Sequence, residues 1–174
     1  YGHGIGIAYY HTVLDQDPLS EQTLKQLIQF GPDQFGADNE LANFYKNRGR
    51  MTEARRTIET AFERGGVNDT NIVVSYAGFL SAYGEFDEAL ALLSEHKPAK
   101  NNQKDYLYNL GDVHLKLGQY DASERAFRKL SGLFPDVVDF KVTLSNTLIE
   151  GGKPDQAIAL LEKAIIDYPE QFTG

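Results

Sequence analysis

The chain has 174 residues, of which 41% are hydrophobic and 24% charged, and this composition indicates a folded core rather than wholesale disorder. Seventeen basic against 25 acidic residues leave a formal charge of -8, which argues against nonspecific binding of nucleic acid. Because the chain has no cysteine, disulfides, thiolate zinc sites, iron–sulfur clusters and cysteine nucleophiles are excluded.

The termini and the hydropathy pattern set expectations about location. No apolar run approaches the roughly 20 residues needed to cross a bilayer, and the N-terminus lacks the basic-then-apolar pattern of a signal peptide. We therefore expect a soluble chain, cytoplasmic or periplasmic, with no membrane insertion in this segment. Because the chain begins at Tyr1 rather than Met, we expect a piece or a processed product of a longer parent.

The sequence repeats with a period of 34 to 35 residues. Aligning Gly49, Gly84, Gly118 and Gly152 gives spacings of 35, 34 and 34, and other residues recur in the same register. Small residues recur at Ala42, Ala77, Gly111 and Ser145 and again at Ala54, Ala89, Ser123 and Ala157, and large apolar residues recur at Ile58, Leu93, Phe127 and Leu161. This register predicts pairs of helices, each closed after its first helix by a glycine cap.

The predicted helices follow in chain order. They cover 6–15, 19–30, 38–48, 51–64, 70–83, 86–96, 104–117, 120–133, 137–150 and 154–167. The first pair is degenerate: Ala8, Ser20 and Leu24 take the repeat positions, and Asp17-Pro18 starts its second helix.

This pattern resembles the tetratricopeptide repeat family. The motif is followed best at Leu110, Gly111, Gly118, Tyr120, Phe127 and Pro135. The chain departs from it in having no Trp at the fourth position and Ser123 in place of an alanine. The resemblance implies an all-α fold, a right-handed superhelical solenoid of helix-turn-helix repeats. We expect a degenerate pair over 1–34, repeats over 35–69, 70–103, 104–137 and 138–171, and a tail at 172–174 that continues in a longer parent chain.

The resemblance also implies a function. We expect a protein–protein interaction scaffold that binds a peptide or partner protein in the concave groove, within a multiprotein assembly. The alternative is an accessory repeat segment of a larger enzyme, such as a glycosyltransferase or protease.

No enzymatic or metal-binding motif stands out. The N-terminal GHGIG does not match a dinucleotide-binding loop, and G-x-S-x-G, HExxH and P-loop motifs are absent. No two of His3, His11, His96 and His114 have the i, i+4 spacing of a metal site. The arginines around Gly49 are interpreted as a solvated helix face rather than a phosphate site. We expect no catalysis, no cofactor and no metal.

By the resemblance, the groove is lined by the first helix of each repeat. Carried over position by position, the candidate partner-binding residues are Asn39, Glu40, Asn43, Lys46, Asn47, Asn71, Ser75, Asp105, Tyr108, Asn109, Asp112, Lys116 and Asn146. Five acids outnumber two lysines among all groove positions, so we expect neutral or basic peptides to be preferred. The acids are Glu40, Asp105, Asp112, Asp139 and Glu150, and the lysines are Lys46 and Lys116.

Chaperone-binding members of the family grip a C-terminal carboxylate with a clamp of Lys, Asn and Arg. The resemblance places Asn39 and Asp105 at clamp lysine positions and Asn109 at the arginine position. Because two cations are lost and an anion is gained, we expect no recognition of an acidic chaperone tail.

The last predicted helix carries an apolar stripe that a following helix normally covers. The stripe consists of Ile158, Leu161, Ala164 and Ile165. We expect either a parent chain that continues past Gly174 or self-association through this C-terminal helix face.

Overall fold

The computed structural model describes residues 17–30, 34–96, 98 and 103–171, and every regular element in those ranges is helical. The α-helices are α1 (Asp17–Phe30), α2 (Gln34–Asn47), α3 (Met51–Glu63), α4 (Thr70–Ala82), α5 (Phe86–Glu95), α6 (Gln103–Lys116), α7 (Tyr120–Leu133), α8 (Val138–Glu150) and α9 (Pro154–Asp167). Short 3₁₀ turns cover Gly66–Asn68 and Pro169–Gln171. The predicted all-α fold is confirmed. The helix predicted over 6–15 and the tail at 172–174 lie outside the described residues.

One helix boundary differs clearly from its prediction. The helix α2 begins at Gln34 rather than at residue 38. Its first turn is held by burial, because Phe35 packs against the core of this part of the chain and Ala37 is fully buried. Asp33, directly before Gln34, is a residue type preferred at helix N-caps, and the predicted boundary did not include this signal.

The four aligned glycines end the first helix of each repeat, as predicted. Each has a positive φ, from 69° at Gly118 to 81° at Gly84. At Gly118 the glycine N–H donates to the Leu115 carbonyl at 2.9 Å, and the next N–H, of Gln119, donates to the His114 carbonyl at 2.8 Å. This pair of hydrogen bonds satisfies carbonyls that the helix end leaves open, and the left-handed conformation it needs favours glycine.

The chain divides into two compact units, Tyr1–Phe79 and Leu80–Gly174, and the division falls inside α4. In the first unit, α2 packs against both α1 and α3, and the Phe62 ring of α3 lies 5.3 Å from the Tyr76 ring of α4, centroid to centroid. Ala42, Ala54 and Ile58 are all fully buried there. The small residues therefore allow the close helix contacts that the register predicts.

In the second unit, each helix from α5 to α9 packs against the next in chain order. Gly111 and Ser123 are buried at the contact of α6 and α7, and Phe127 is fully buried in one cluster with Leu144 of α8. The hydroxyl of Tyr106 donates to the Leu93 carbonyl at 2.8 Å and ties α6 to α5. The repeat boundaries themselves stay a prediction.

The predicted apolar stripe on α9 needs one correction. Ala164 is fully buried, because it lies on the face of α9 that packs against α8. The exposed isoleucines are instead Ile158, Ile165 and Ile166, and Leu161 is half-buried.

Candidate protein-binding faces

The predicted groove residues of the first unit lie on α2 and α4. We call this set the first polar face, and it consists of Asn39, Glu40, Asn43, Lys46, Asn47, Asn71 and Ser75. The Ser75 hydroxyl donates to Oδ1 of Asn39, which joins the two helices directly. The Lys46 ammonium lies 5.9 Å from the centroid of the Phe79 ring. Glu40 and Lys46 are both exposed, so the face carries one charge of each sign.

The remaining predicted residues lie in the second unit, on α6 and α8. We call this set the second polar face, and it consists of Asp105, Tyr108, Asn109, Asp112, Lys116 and Asn146. The five residues of α6 follow a spacing of three, one, three and four, which places them on one stripe of the helix. Asn146 is exposed on α8, and none of the hydrogen bonds found among the described residues joins it to α6.

Tyr108 is the main apolar feature of the second polar face. Its side chain is 43% exposed, although its ring meets the buried ring of Phe127 edge-on at a centroid distance of 5.9 Å. The ring therefore packs against Phe127 on one side, and its exposed part is available to a ligand. The carboxylates of Asp105 and Asp112 lie one turn before and one turn after it along α6.

At two positions that the resemblance assigns to the carboxylate clamp, asparagines form hydrogen bonds within the chain. The amide nitrogen of Asn109 donates to the Asp105 backbone carbonyl at 2.9 Å, and Oδ1 of Asn39 accepts from Ser75. Neither side chain brings a positive charge to a carboxylate.

An open cavity of about 780 Å³ lies along α1 in the first unit, outside both predicted faces. Its lining includes the amides of Gln22, Gln26 and Gln29, together with Arg48 and Phe44. The guanidinium of Arg48 stacks 4.2 Å from the centroid of the Phe44 ring. The spacing of the three glutamines on one helix face is the signal that could have pointed to it.

A charge network beside this cavity was not predicted from the sequence either. Glu21 accepts from Lys25 at 2.6 Å, from the Tyr45 hydroxyl at 2.9 Å and from Arg50 at 2.7 Å. The hydrogen bond from Lys25, followed by those from Arg50 and Tyr45, lowers the pKa of Glu21 to about 2 against the opposing effect of burial. The cation of Arg50 is shared with Glu53 at 2.8 Å.

The described residues offer neither a metal site nor a membrane span. Within the described ranges, no group of three or more histidine or acidic side chains is placed to hold a metal ion. Among the helices of those same ranges, none is long and apolar enough to cross a membrane.

A family model described as "Tetratricopeptide repeat" matches residues 108–172, from α6 to the end of the second unit. Among curated proteins, the Intraflagellar transport protein 56 homolog of Caenorhabditis elegans is 27% identical over 118 residues, which cover 67% of this chain and 21% of that protein. Tetratricopeptide repeat protein 8 of the same organism is 21% identical over 140 residues, covering 77% of this chain and 27% of that protein. The chain thus spans about a quarter of the length of each of these two relatives.

Solved structures extend the comparison along the whole chain. MamA from Desulfovibrio magneticus RS-1 superposes with a TM-score of 0.77 at 14% identity, covering 98% of this chain and 96% of that chain. A Podosopora anserina protein described by "kinesin light chain nearly identical TPR-like repeats" superposes with a TM-score of 0.72 at 16% identity, with the same coverage of 98% and 96%. At such low identity these neighbours show the fold alone. Residues 108–172 thus match the tetratricopeptide repeat family, and nearly the whole chain shares the fold of these solved structures.

Proposed function

We propose that the chain is a non-enzymatic scaffold that holds a partner protein by an extended segment of neutral or basic character. The observation that carries this proposal is the stripe on α6, where an exposed aromatic ring lies between two carboxylates. The second polar face is therefore the principal binding surface of the proposal. Repeat proteins use such extended surfaces to bind partners.

Four residues of the second polar face have a role in this binding. The Tyr108 ring contacts an apolar side chain or the stem of a lysine, and it is already ordered by Phe127 before binding. Asp105 and Asp112 pair with basic groups of the ligand on either side of the ring. The exposed amide of Asn146 can donate to and accept from a peptide backbone.

The first polar face contributes to the proposal in a different way. Its two charges, on Glu40 and Lys46, balance, and its remaining residues are amides and a hydroxyl. Such groups hydrogen-bond a peptide backbone without selecting for charge. We assign the charge preference to the second polar face and backbone binding to both.

The test is a binding measurement on the full chain with a labelled peptide library in which lysine, glutamate or neutral residues flank a central leucine. Lysine-flanked peptides should bind more tightly than glutamate-flanked ones, and the difference should shrink as salt rises, because exposed charges are screened over about 10 Å at 0.1 M. The Asp105→Lys, Asp112→Lys variant should reverse the preference.

The matched control is Asp87→Lys, Glu88→Lys on α5, which changes the net charge by the same amount at two exposed positions. This control should keep the preference for lysine-flanked peptides. A preference for acidic peptides in the unmodified chain, or an equal response of both variants, would show that the second polar face does not select the ligand.

A further inference from the structure

The exposed residues of α6 and α8 match each other position by position, one repeat of 34 residues apart. Asp105 of α6 corresponds to Asp139 of α8, and Tyr108 corresponds to Val142. All four side chains are exposed, Tyr108 at 43% and Val142 at 36%. We call Asp105 and Asp139 the acidic row, and Tyr108 and Val142 the apolar row. Within each helix the two rows are three residues apart, which is about 4.5 Å along the helix axis.

The two helices are neighbours, so each row runs across both of them. Leu107 of α6 belongs to the same buried cluster as Leu144 and Leu148 of α8. The Lys104 ammonium of α6 lies 5.7 Å from the centroid of the Phe140 ring of α8. Because equivalent positions of neighbouring repeats face the same way, carboxylates line one side of this surface and apolar side chains line the other.

Helices that follow in the same unit leave these positions open. Tyr108 and Asp105 are both exposed although α7, α8 and α9 come after them in the second unit. The combination of the two rows is specific to α6 and α8 among the first helices that the structure describes. The corresponding positions of α4 carry Asn71 and the half-buried Val74, and α2 has no carboxylate at the position of the acidic row either.

We propose that the partner segment crosses α6 and α8 in an extended conformation and alternates basic with apolar residues. Successive side chains of an extended chain point to opposite sides. Its basic side chains pair with the acidic row, and the apolar side chains between them contact the apolar row. This inference rests on the function proposed above, and it adds Asp139 and Val142 to the binding surface.

The surface thereby selects an order of residues as well as a composition. A segment whose lysines are grouped together places some of them against Tyr108 and Val142, where they lose water without gaining a carboxylate. Its grouped apolar residues in turn lie beside the acidic row and remain in water. The alternating order avoids both losses and buries apolar area on each helix.

The test uses three labelled peptides of about eight residues, capped at both ends to remove the terminal charges. The first alternates lysine with leucine. The second contains the same residues in one block of lysines and one block of leucines, and the third is the alternating peptide with glutamates in place of lysines. Fluorescence anisotropy with the full chain should show about five- to tenfold tighter binding of the alternating lysine peptide than of the block peptide.

A matched pair of variants assigns this preference to the two rows. Asp139→Asn, Val142→Ser removes the α8 member of each row and should reduce the affinity for the alternating peptide to that for the block peptide. The control is Ile149→Ser, Glu150→Gln, which makes the same kinds of change at two exposed positions of the same helix. The control should keep the preference. Circular dichroism shows whether each variant remains folded.

The outcomes separate this inference from the function on which it rests. Equal binding of the two lysine peptides, both tighter than the glutamate peptide, would overturn the alternating order and leave the basic preference in place. Equal loss of the preference in both variants would also overturn it. Binding of the glutamate peptide as tight as that of the alternating lysine peptide would contradict the proposed function itself, and the role of the acidic row with it.

Discussion

The ring of Phe127 lies directly against the backbone of Gly111, so close that a Cβ atom at residue 111 would come within 2.8 Å of the ring Cζ atom. The Ser123 hydroxyl, also on α7, donates to the Gly111 carbonyl at 2.8 Å. Two consecutive helices of the repeat are therefore in contact through a glycine and a serine. The absence of a side chain at residue 111 is what lets the large Phe127 ring fill this contact.

The first prediction concerns this contact. Gly111→Leu should overpack it and lower the free energy of unfolding by roughly 1–3 kcal/mol, because the new side chain would collide with the fully buried Phe127 ring. Thermal unfolding measures the effect. Gly132→Ala is the control, since its new Cβ meets nothing within 4 Å on the exposed side of α7. The control should raise stability by about 0.5–1 kcal/mol, and an unchanged midpoint for Gly111→Leu would contradict the packing described.

The second prediction concerns the turn after α6. Gly118 has φ of 69°, and an added Cβ would meet no atom within 4 Å, so a substitution is opposed by backbone conformation and not by crowding. Gly118→Ala should therefore cost about 1 kcal/mol, and Gly118→Asn should cost less because asparagine tolerates this conformation better. Chemical denaturation of the two variants makes the comparison. Equal destabilisation by both would show that φ is not the cause.

The third prediction concerns pH. Because the pKa of Glu21 is lowered to about 2 from 4.5, its ion pairs stabilise the folded chain above about pH 4.5 and lose that effect as pH falls towards 2. The melting temperature of Glu21→Gln should thus lie below that of the unmodified chain at pH 6. The difference should vanish near pH 2.

A second carboxylate variant serves as the control for this titration. Glu63 is exposed on α3 and bonds to no other described side chain, so Glu63→Gln should follow the unmodified chain across the whole range. If Glu21→Gln did the same, the ion pairs with Lys25 and Arg50 would contribute nothing to stability.

The fourth prediction concerns the buried carboxylate of Asp38. Burial raises its pKa and the charge and hydrogen bond of Arg64 oppose that rise, while its side chain is only 4% exposed. Arg64→Met should cost about 1–3 kcal/mol at pH 7, because it leaves this acceptor without its partner. The pKa of Asp38 should then rise further, so the variant should lose stability as pH rises through that value.

Two variants separate this effect from the loss of a surface arginine. Arg56→Met, at an exposed position of α3, should change the free energy of unfolding by less than about 0.5 kcal/mol. Adding Asp38→Asn to Arg64→Met should recover part of the loss. No recovery in the double variant would mean that Arg64 acts through packing alone.

The helical repeat could be predicted because its determinants are local and recur in register. The turn glycines need a positive φ, and small residues such as Ala54 and Ser123 need burial, and both requirements show as a spacing in the sequence. The start of α2 at Gln34 follows Asp33, a preferred N-cap residue, so the sequence carries a signal for it that the spacing of the repeat does not include.

The charge network around Glu21 could not be predicted, because its members lie far apart in the sequence. The pairs Glu21–Arg50 and Glu124–Lys153 join residues 29 apart in sequence, at equivalent points of two repeats. A repeat period shows which positions are equivalent but not which positions meet. The cavity along α1 and the contact of Ser75 with Asn39 likewise depend on how neighbouring helices are placed.

The central claim, that the second polar face binds an extended basic segment, is tested most directly by ¹⁵N–¹H NMR of the 19.4 kDa chain titrated with a lysine-flanked extended peptide. We predict that the amide signals of Tyr108, Asn109, Asp112 and Asn146 shift together and saturate. The contradicting result is a titration that leaves these four signals unchanged and shifts those of Gln22, Gln26 and Gln29 along the α1 cavity instead.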